Sequence, residues 1–85
     1  MLEEFKKLRN RLVKEGYVFP SVRAFRELAG EECEVEEVYR DNSYVQYRLR
    51  YREYVMEYVD CYTSDVHSNI TLYHGDEVVF YSPSE

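Results

Sequence analysis

The sequence predicts an α+β fold: two N-terminal helices packed on a small antiparallel β-sheet with a long bent central strand and a C-terminal hairpin. Three observations carry this reading. Apolar residues recur at intervals of three and four up to Gly30, and the pattern changes to alternation from Cys33 onward. The longest stretch free of Gly, Pro, Asn and Ser, Tyr44 to Tyr62, holds six of the ten tyrosines. Finally, 85 residues are too few to stabilise a second core, so residues 1–85 are expected to form one domain.

Leu2, Phe5, Leu8 and Leu12 place one apolar stripe on a helix rich in good helix formers up to Glu15. Gly16 closes it, since glycine tolerates the left-handed conformation that ends helices. Tyr17, Val18 and Phe19 form an apolar linker, with Phe19 expected to be extended because Pro20 follows. Ser21 is the expected cap of a second, shorter helix with Val22, Phe25, Leu28 and Ala29 on its inner face and Gly30 at its end.

Gly16-Tyr17, then Pro20-Ser21-Val22-Arg23, then an amphipathic helix ending in Gly30 resembles the first two helices of the winged-helix domain of the LexA repressor family. That resemblance covers about a fifth of the chain. It implies a DNA-reading helix directly afterwards. Here the chain reads Glu31, Glu32, Cys33, Glu34, Val35, Glu36, Glu37, and five glutamates oppose approach to phosphate.

From Cys33 to Arg40 apolar Cys33, Val35 and Tyr39 alternate with polar Glu34, Glu36 and Arg40. Val38 is the exception and Glu37 breaks the apolar face, a pattern that fits an edge strand. Asp41-Asn42-Ser43 is a turn leading into the tyrosine stretch.

The tyrosine stretch admits two readings. As a strand, Val45, Tyr47, Leu49 and Tyr51 share one face and Gln46, Arg48, Arg50 and Arg52 the other, an alternation that breaks at Glu53. As a helix, Tyr44, Tyr47, Tyr51, Tyr54, Tyr58 and Cys61 form a three-four repeat with Gln46, Arg50, Glu53, Glu57 and Asp60 opposite, and Ser43 with Gln46 makes a capping box. A straight strand of this length would run roughly 60 Å and a helix roughly 28 Å. A strand must therefore bend or divide near Arg52 and Glu53, and the density of Tyr and Val favours that reading.

Thr63 to Ser68 is expected to be a polar loop. Asn69 to His74 and Glu77 to Tyr81 alternate on either side of Gly75-Asp76, which predicts a β-hairpin. Order is expected to end at Pro83, with Ser82 to Glu85 frayed. The expected core is Phe5, Leu8, Leu12, Phe25, Leu28, Val45, Leu49, Val55, Val59, Ile70, Leu72, Val79 and Tyr81.

The formal charge of −6 is unevenly distributed. Residues 1–30 carry seven basic against four acidic side chains, and residues 31–85 carry four against thirteen. No apolar run approaches the roughly 20 residues that span a bilayer, and MLEEFKKLRN lacks a secretory apolar core, so a cytoplasmic protein without membrane contact is expected. Cys33 and Cys61 are expected to be partly buried free thiols.

Cys33, Cys61, His67 and His74 are possible metal ligands, but zinc sites bring ligands in close pairs. The nearest spacings here have five and six intervening residues, so neither metal nor cofactor is expected. The sequence holds no nucleophile elbow, phosphate-cradling glycine loop or paired-carboxylate motif, and an enzyme is not expected. Arg48, Arg50 and Arg52 interleaved with tyrosines offer a nucleic-acid surface. The competing expectation is that these arginines pair with Glu34, Glu36 or Glu37 on a neighbouring strand.

Glu31, Glu32, Glu34, Glu36, Glu37 and Asp41, with Tyr44 nearby, fit an arginine- or lysine-lined groove of a protein partner. In type, a compact acidic domain of this kind is similar to small virus- or mobile-element-encoded inhibitors of nucleic-acid-handling complexes, anti-CRISPR proteins among them. The expectation is a non-enzymatic protein-binding module. The alternatives are a winged-helix-like nucleic-acid binder using Arg48, Arg50 and Arg52, and a homodimer that buries the tyrosine face.

Overall fold

A computed structural model describes residues 1–85. Helices α1 (Leu2–Lys14) and α2 (Pro20–Ala29) are followed by a single 3₁₀ turn, Gly30–Glu32. Five strands then complete the chain: β1 (Glu34–Arg40), β2 (Tyr44–Tyr51), β3 (Tyr54–Cys61), β4 (His67–His74) and β5 (Glu77–Ser84). They form one antiparallel meander in the order β1-β2-β3-β4-β5. The fold is α+β, with both helices on one face of the sheet.

The tyrosine stretch forms two strands, β2 and β3, and its bend is a full reversal. Tyr51 pairs with Tyr54 across a two-residue turn at Arg52-Glu53. Arg52 has a positive φ of 57° and Glu53 does not, as in the II′ turns whose twist suits hairpins. The β4–β5 hairpin closes the same way with glycine, Gly75 at φ 62°, in that position. The two turns touch, the Gly75 N–H donating to the Glu53 carbonyl at 3.0 Å.

Val38, the residue out of alternation, is the extra residue of a bulge, since the register shifts between Glu37 and Tyr39. Asn69, at φ 53°, occupies a second bulge in β4. The register also slips on β5 beside Val79, which brings Phe80 opposite Leu72.

The core lies between the helices and the inward side chains of β2, β3 and β4. Phe5, Phe25, Leu49, Met56, Ile70 and Leu72 are fully buried. A buried phenylalanine contributes roughly 2–3 kcal/mol, so Phe5 and Phe25 anchor the helices to the sheet. Leu8, Leu28 and Val79 pack against this cluster while half-buried.

Three expected core residues belong elsewhere. Val55 and Val59 face away from the helices because the reversal at Arg52-Glu53 makes the even-numbered Met56 and Tyr58 the inward residues of β3. Tyr81 is 55% exposed, since the slip beside Val79 turns Phe80 inward, where it packs edge-on against Phe5.

Two terminal features also differ from expectation. Phe19, expected to be extended, is left-handed at φ 60°. Its ring lies flat on His67 at 3.8 Å, and its carbonyl accepts the Arg23 N–H, contacts that offset the strain. Ser82 to Glu85 are not frayed: β5 continues through Pro83, tolerable because β5 is an edge strand. Glu85 exchanges two backbone hydrogen bonds with His67.

Ser21 is not the cap of α2. It is the second helical residue, and Glu85 supplies the capping oxygens. Ser21 N–H donates to Glu85 Oε1 at 2.8 Å, and the Ser21 hydroxyl donates to Oε2 at 2.6 Å. Arg9 completes the cluster, with Nη2 donating to Glu85 Oε2 at 2.8 Å and Nε to Ser21 Oγ at 2.9 Å. Burial by itself would raise the Glu85 carboxyl, but the hydrogen bonds from Ser21 and Arg9 outweigh it and hold the group below the usual range.

Candidate functional site

The expected partner-binding residues gather around β1 without sharing one face. All seven residues of β1 are exposed, and its free side presents unpaired backbone N–H and C=O groups. Glu34 and Glu36 lie opposite Arg50 and Arg48 and share their helix-free face. Glu37, opposite Tyr47, points to the helix side and pairs with Arg40. Glu31 and Glu32 stand on the 3₁₀ turn at the same end.

Asp41 works in the turn. Its Oδ1 accepts the backbone N–H groups of Ser43 at 2.7 Å and Tyr44 at 3.0 Å, and these bonds hold its carboxyl below the usual range. Its Oδ2 accepts the Tyr39 hydroxyl, which is raised in turn. Tyr44 stands on the helix-free face with its ring 5.3 Å from that of Tyr39.

Each arginine of the basic stripe has an acidic neighbour. Arg48 bonds Glu57 at 2.8 Å and approaches Glu36 at 3.7 Å, Arg50 lies 3.5 Å from Glu36, and Arg52 lies 3.6 Å from Glu32. Glu36, Arg48, Arg50 and Glu57 thus form a charge ladder across β1, β2 and β3, of the kind expected between opposed strands. No third long helix follows α2, so the helical form of the tyrosine stretch on which a winged-helix arrangement depends does not occur.

Cys33 and Cys61 are free, half-buried thiols, and burial raises Cys33. No three His, Cys, Asp or Glu side chains converge. No helix is long and apolar enough to cross a membrane.

A second feature escaped the sequence reading. Between α2 and the inward face of β3 and β4 opens a groove of about 480 Å³. His67, only 7% exposed, forms its floor, sandwiched between Phe19 at 3.8 Å and Tyr58 at 4.6 Å. Burial pushes the Tyr58 hydroxyl up to about 12 and the His67 imidazole down, so both are neutral at pH 7. The three aromatics are 19, 58 and 67 in the chain, too far apart for local pattern to join them.

No family model matches the chain, and neither a curated protein nor a solved structure matches it.

Proposed function

We propose that this chain is a non-enzymatic protein-binding module that presents the free edge of β1 to a lysine- or arginine-rich segment of a protein partner. On this reading it acts as an inhibitor of a nucleic-acid-handling complex, occupying a cationic surface that otherwise holds phosphate. The observation that supports it most is the edge itself: a wholly exposed strand whose surroundings, residues 31–41, carry six acids against one arginine.

An extended segment adding to this edge gains main-chain hydrogen bonds, and the glutamates select basic side chains along it. Exposed Val35 and Tyr39 add apolar contact area. The same glutamates disfavour a second copy, because antiparallel pairing of two β1 strands would set like charges opposite one another. The bulge at Val38 further discourages long regular pairing. The arginine ladder argues against nucleic acid as the partner, since binding phosphate would require breaking pairs that already exist.

The test is capture from a nuclease-treated lysate of the native host, comparing the wild-type chain with Glu34→Lys/Glu36→Lys/Glu37→Lys and Arg48→Ala/Arg50→Ala/Arg52→Ala variants. The reading predicts a basic protein retained by the wild type and the arginine variant and lost from the glutamate variant. Tight binding of purified DNA or RNA in a separate titration, weakening steeply with salt and vanishing in the arginine variant, would overturn it, as would capture that survives in the glutamate variant.

A further inference from the structure

Of the eight arginines in the chain, seven have an acidic partner within 4 Å. The exception is Arg26, although acids outnumber bases by seventeen to eleven. It stands on the rim of the groove between α2 and the sheet, beside the Tyr58 hydroxyl. Arg23, on the same helix face, is paired with Glu27 at 3.3 Å and lies over the Tyr17 ring, so these two charges cancel. Among the residues that line the groove, Arg26 is therefore the one charge without a partner, and the nearby Asp60 carboxylate, 3.9 Å from His67 Nε2, stands outside that lining.

The rest of the groove is apolar or flat. Val22 and the ring of Phe19 form one wall, and Val18, 61% exposed, extends it outward. Below lies His67, whose Nδ1 is buried without a hydrogen-bond partner and whose Nε2 is 3.9 Å from Asp60 Oδ1. Buried polar atoms without partners are rare, and here one lies in the floor of a concave site. The left-handed Phe19 is a second departure from the local optimum at the same place.

We propose that this groove binds a small organic anion with a flat apolar body, its carboxylate or phosphate held by Arg26 and the Tyr58 hydroxyl and its body lying against Phe19 and Val22. The match is one of charge and shape. A guanidinium and a neutral phenol donor converge on one anionic group, and the adjoining wall buries an aromatic body. The volume falls within the range of small-molecule sites. The site lies on the helix side of the sheet, away from the free edge of β1, and stands independently of the partner reading.

The experiment is titration of ¹⁵N-labelled protein, followed by amide chemical shifts, with 2-naphthoate as probe. Neutral 2-naphthylmethanol supplies the body without the charge, and acetate supplies the charge without the body. The expected result is saturable shifts from 2-naphthoate centred on Phe19, Val22, Tyr58 and His67, with both comparison compounds at least about tenfold weaker. Arg26→Met should weaken 2-naphthoate by about tenfold or more, the scale of one lost charge-assisted hydrogen bond. Arg48→Met on the opposite face should leave it unchanged. Absence of saturation at millimolar probe, equal binding of either comparison compound, or an unaffected Arg26→Met would overturn the proposal. The comparison of probes on the wild-type chain decides the matter even if the variant were unstable.

Discussion

Glu85 accepts both the backbone N–H and the hydroxyl of Ser21, at 2.8 and 2.6 Å, and so caps α2 from 64 residues away. Its side chain is only 6% exposed and is ion-paired with Arg9. Glu85→Ala removes a helix cap and strands a partly buried guanidinium, and should cost about 2–3 kcal/mol. Urea denaturation checks the free energy, and thermal denaturation should show the melting temperature falling by about 8–24 °C. Glu85→Gln keeps an oxygen acceptor and should cost less.

Acid should destabilise the protein in two windows. Burial lowers His67 in the folded state, with Asp60 and Glu85 opposing it less strongly, so the unfolded chain takes up a proton first. Its contribution is complete above the ordinary value of 6.5 and is lost as pH falls below it, through the folded pKa. Glu85, also lowered, contributes fully above 4.5 and loses that contribution as pH falls further. Unfolding free energy measured against pH should show both losses. His67→Phe, which preserves the stacking, should abolish the upper one, and Glu85→Gln should reduce the lower, leaving the part that Asp41 contributes through its bonds to Ser43 and Tyr44.

Arg52 occupies a turn position that favours glycine. Arg52→Gly relieves left-handed strain of about 1–2 kcal/mol and forfeits an exposed pair with Glu32, worth little, and the guanidinium's place over the Tyr51 ring at 5.0 Å, worth about 0.5 kcal/mol. The melting temperature should rise by about 2–6 °C, and Gly75→Ala at the equivalent position should lower it.

The glutamates of β1 should keep the edge from pairing with itself. Glu34→Gln/Glu36→Gln/Glu37→Gln should raise the mass in light scattering at concentrations where the wild type is monomeric. An unchanged mass would mean that the bulge at Val38 alone protects the edge.

Much of this architecture is legible in short-range pattern. Gly16 and Gly30 mark both helix ends, Val38 marks a bulge, Arg52-Glu53 marks a reversal and Gly75-Asp76 a hairpin, because each depends on the conformation of one or two residues. What pattern could not supply depends on distant partners. After Glu53 both faces of β3 are largely apolar, so nothing local distinguishes Met56 from Val55 as the inward residue. The Glu85–Ser21 cap joins opposite ends of the chain, and its formation orders the residues that composition assigns to a frayed tail. Arg26 looks like any helix-surface arginine until every other arginine is seen to have a partner.

A basic partner segment that adds to the edge of β1 would cover the backbone groups left unpaired there. Amide hydrogen exchange on the complex with the captured partner tests it most directly, because edge amides are unprotected until a new strand covers them. Exchange should slow within Glu34–Arg40, with Glu77–Ser84 at the other edge unchanged. Protection confined to β5 or to the arginine face of β2, with β1 still exchanging freely, would contradict it.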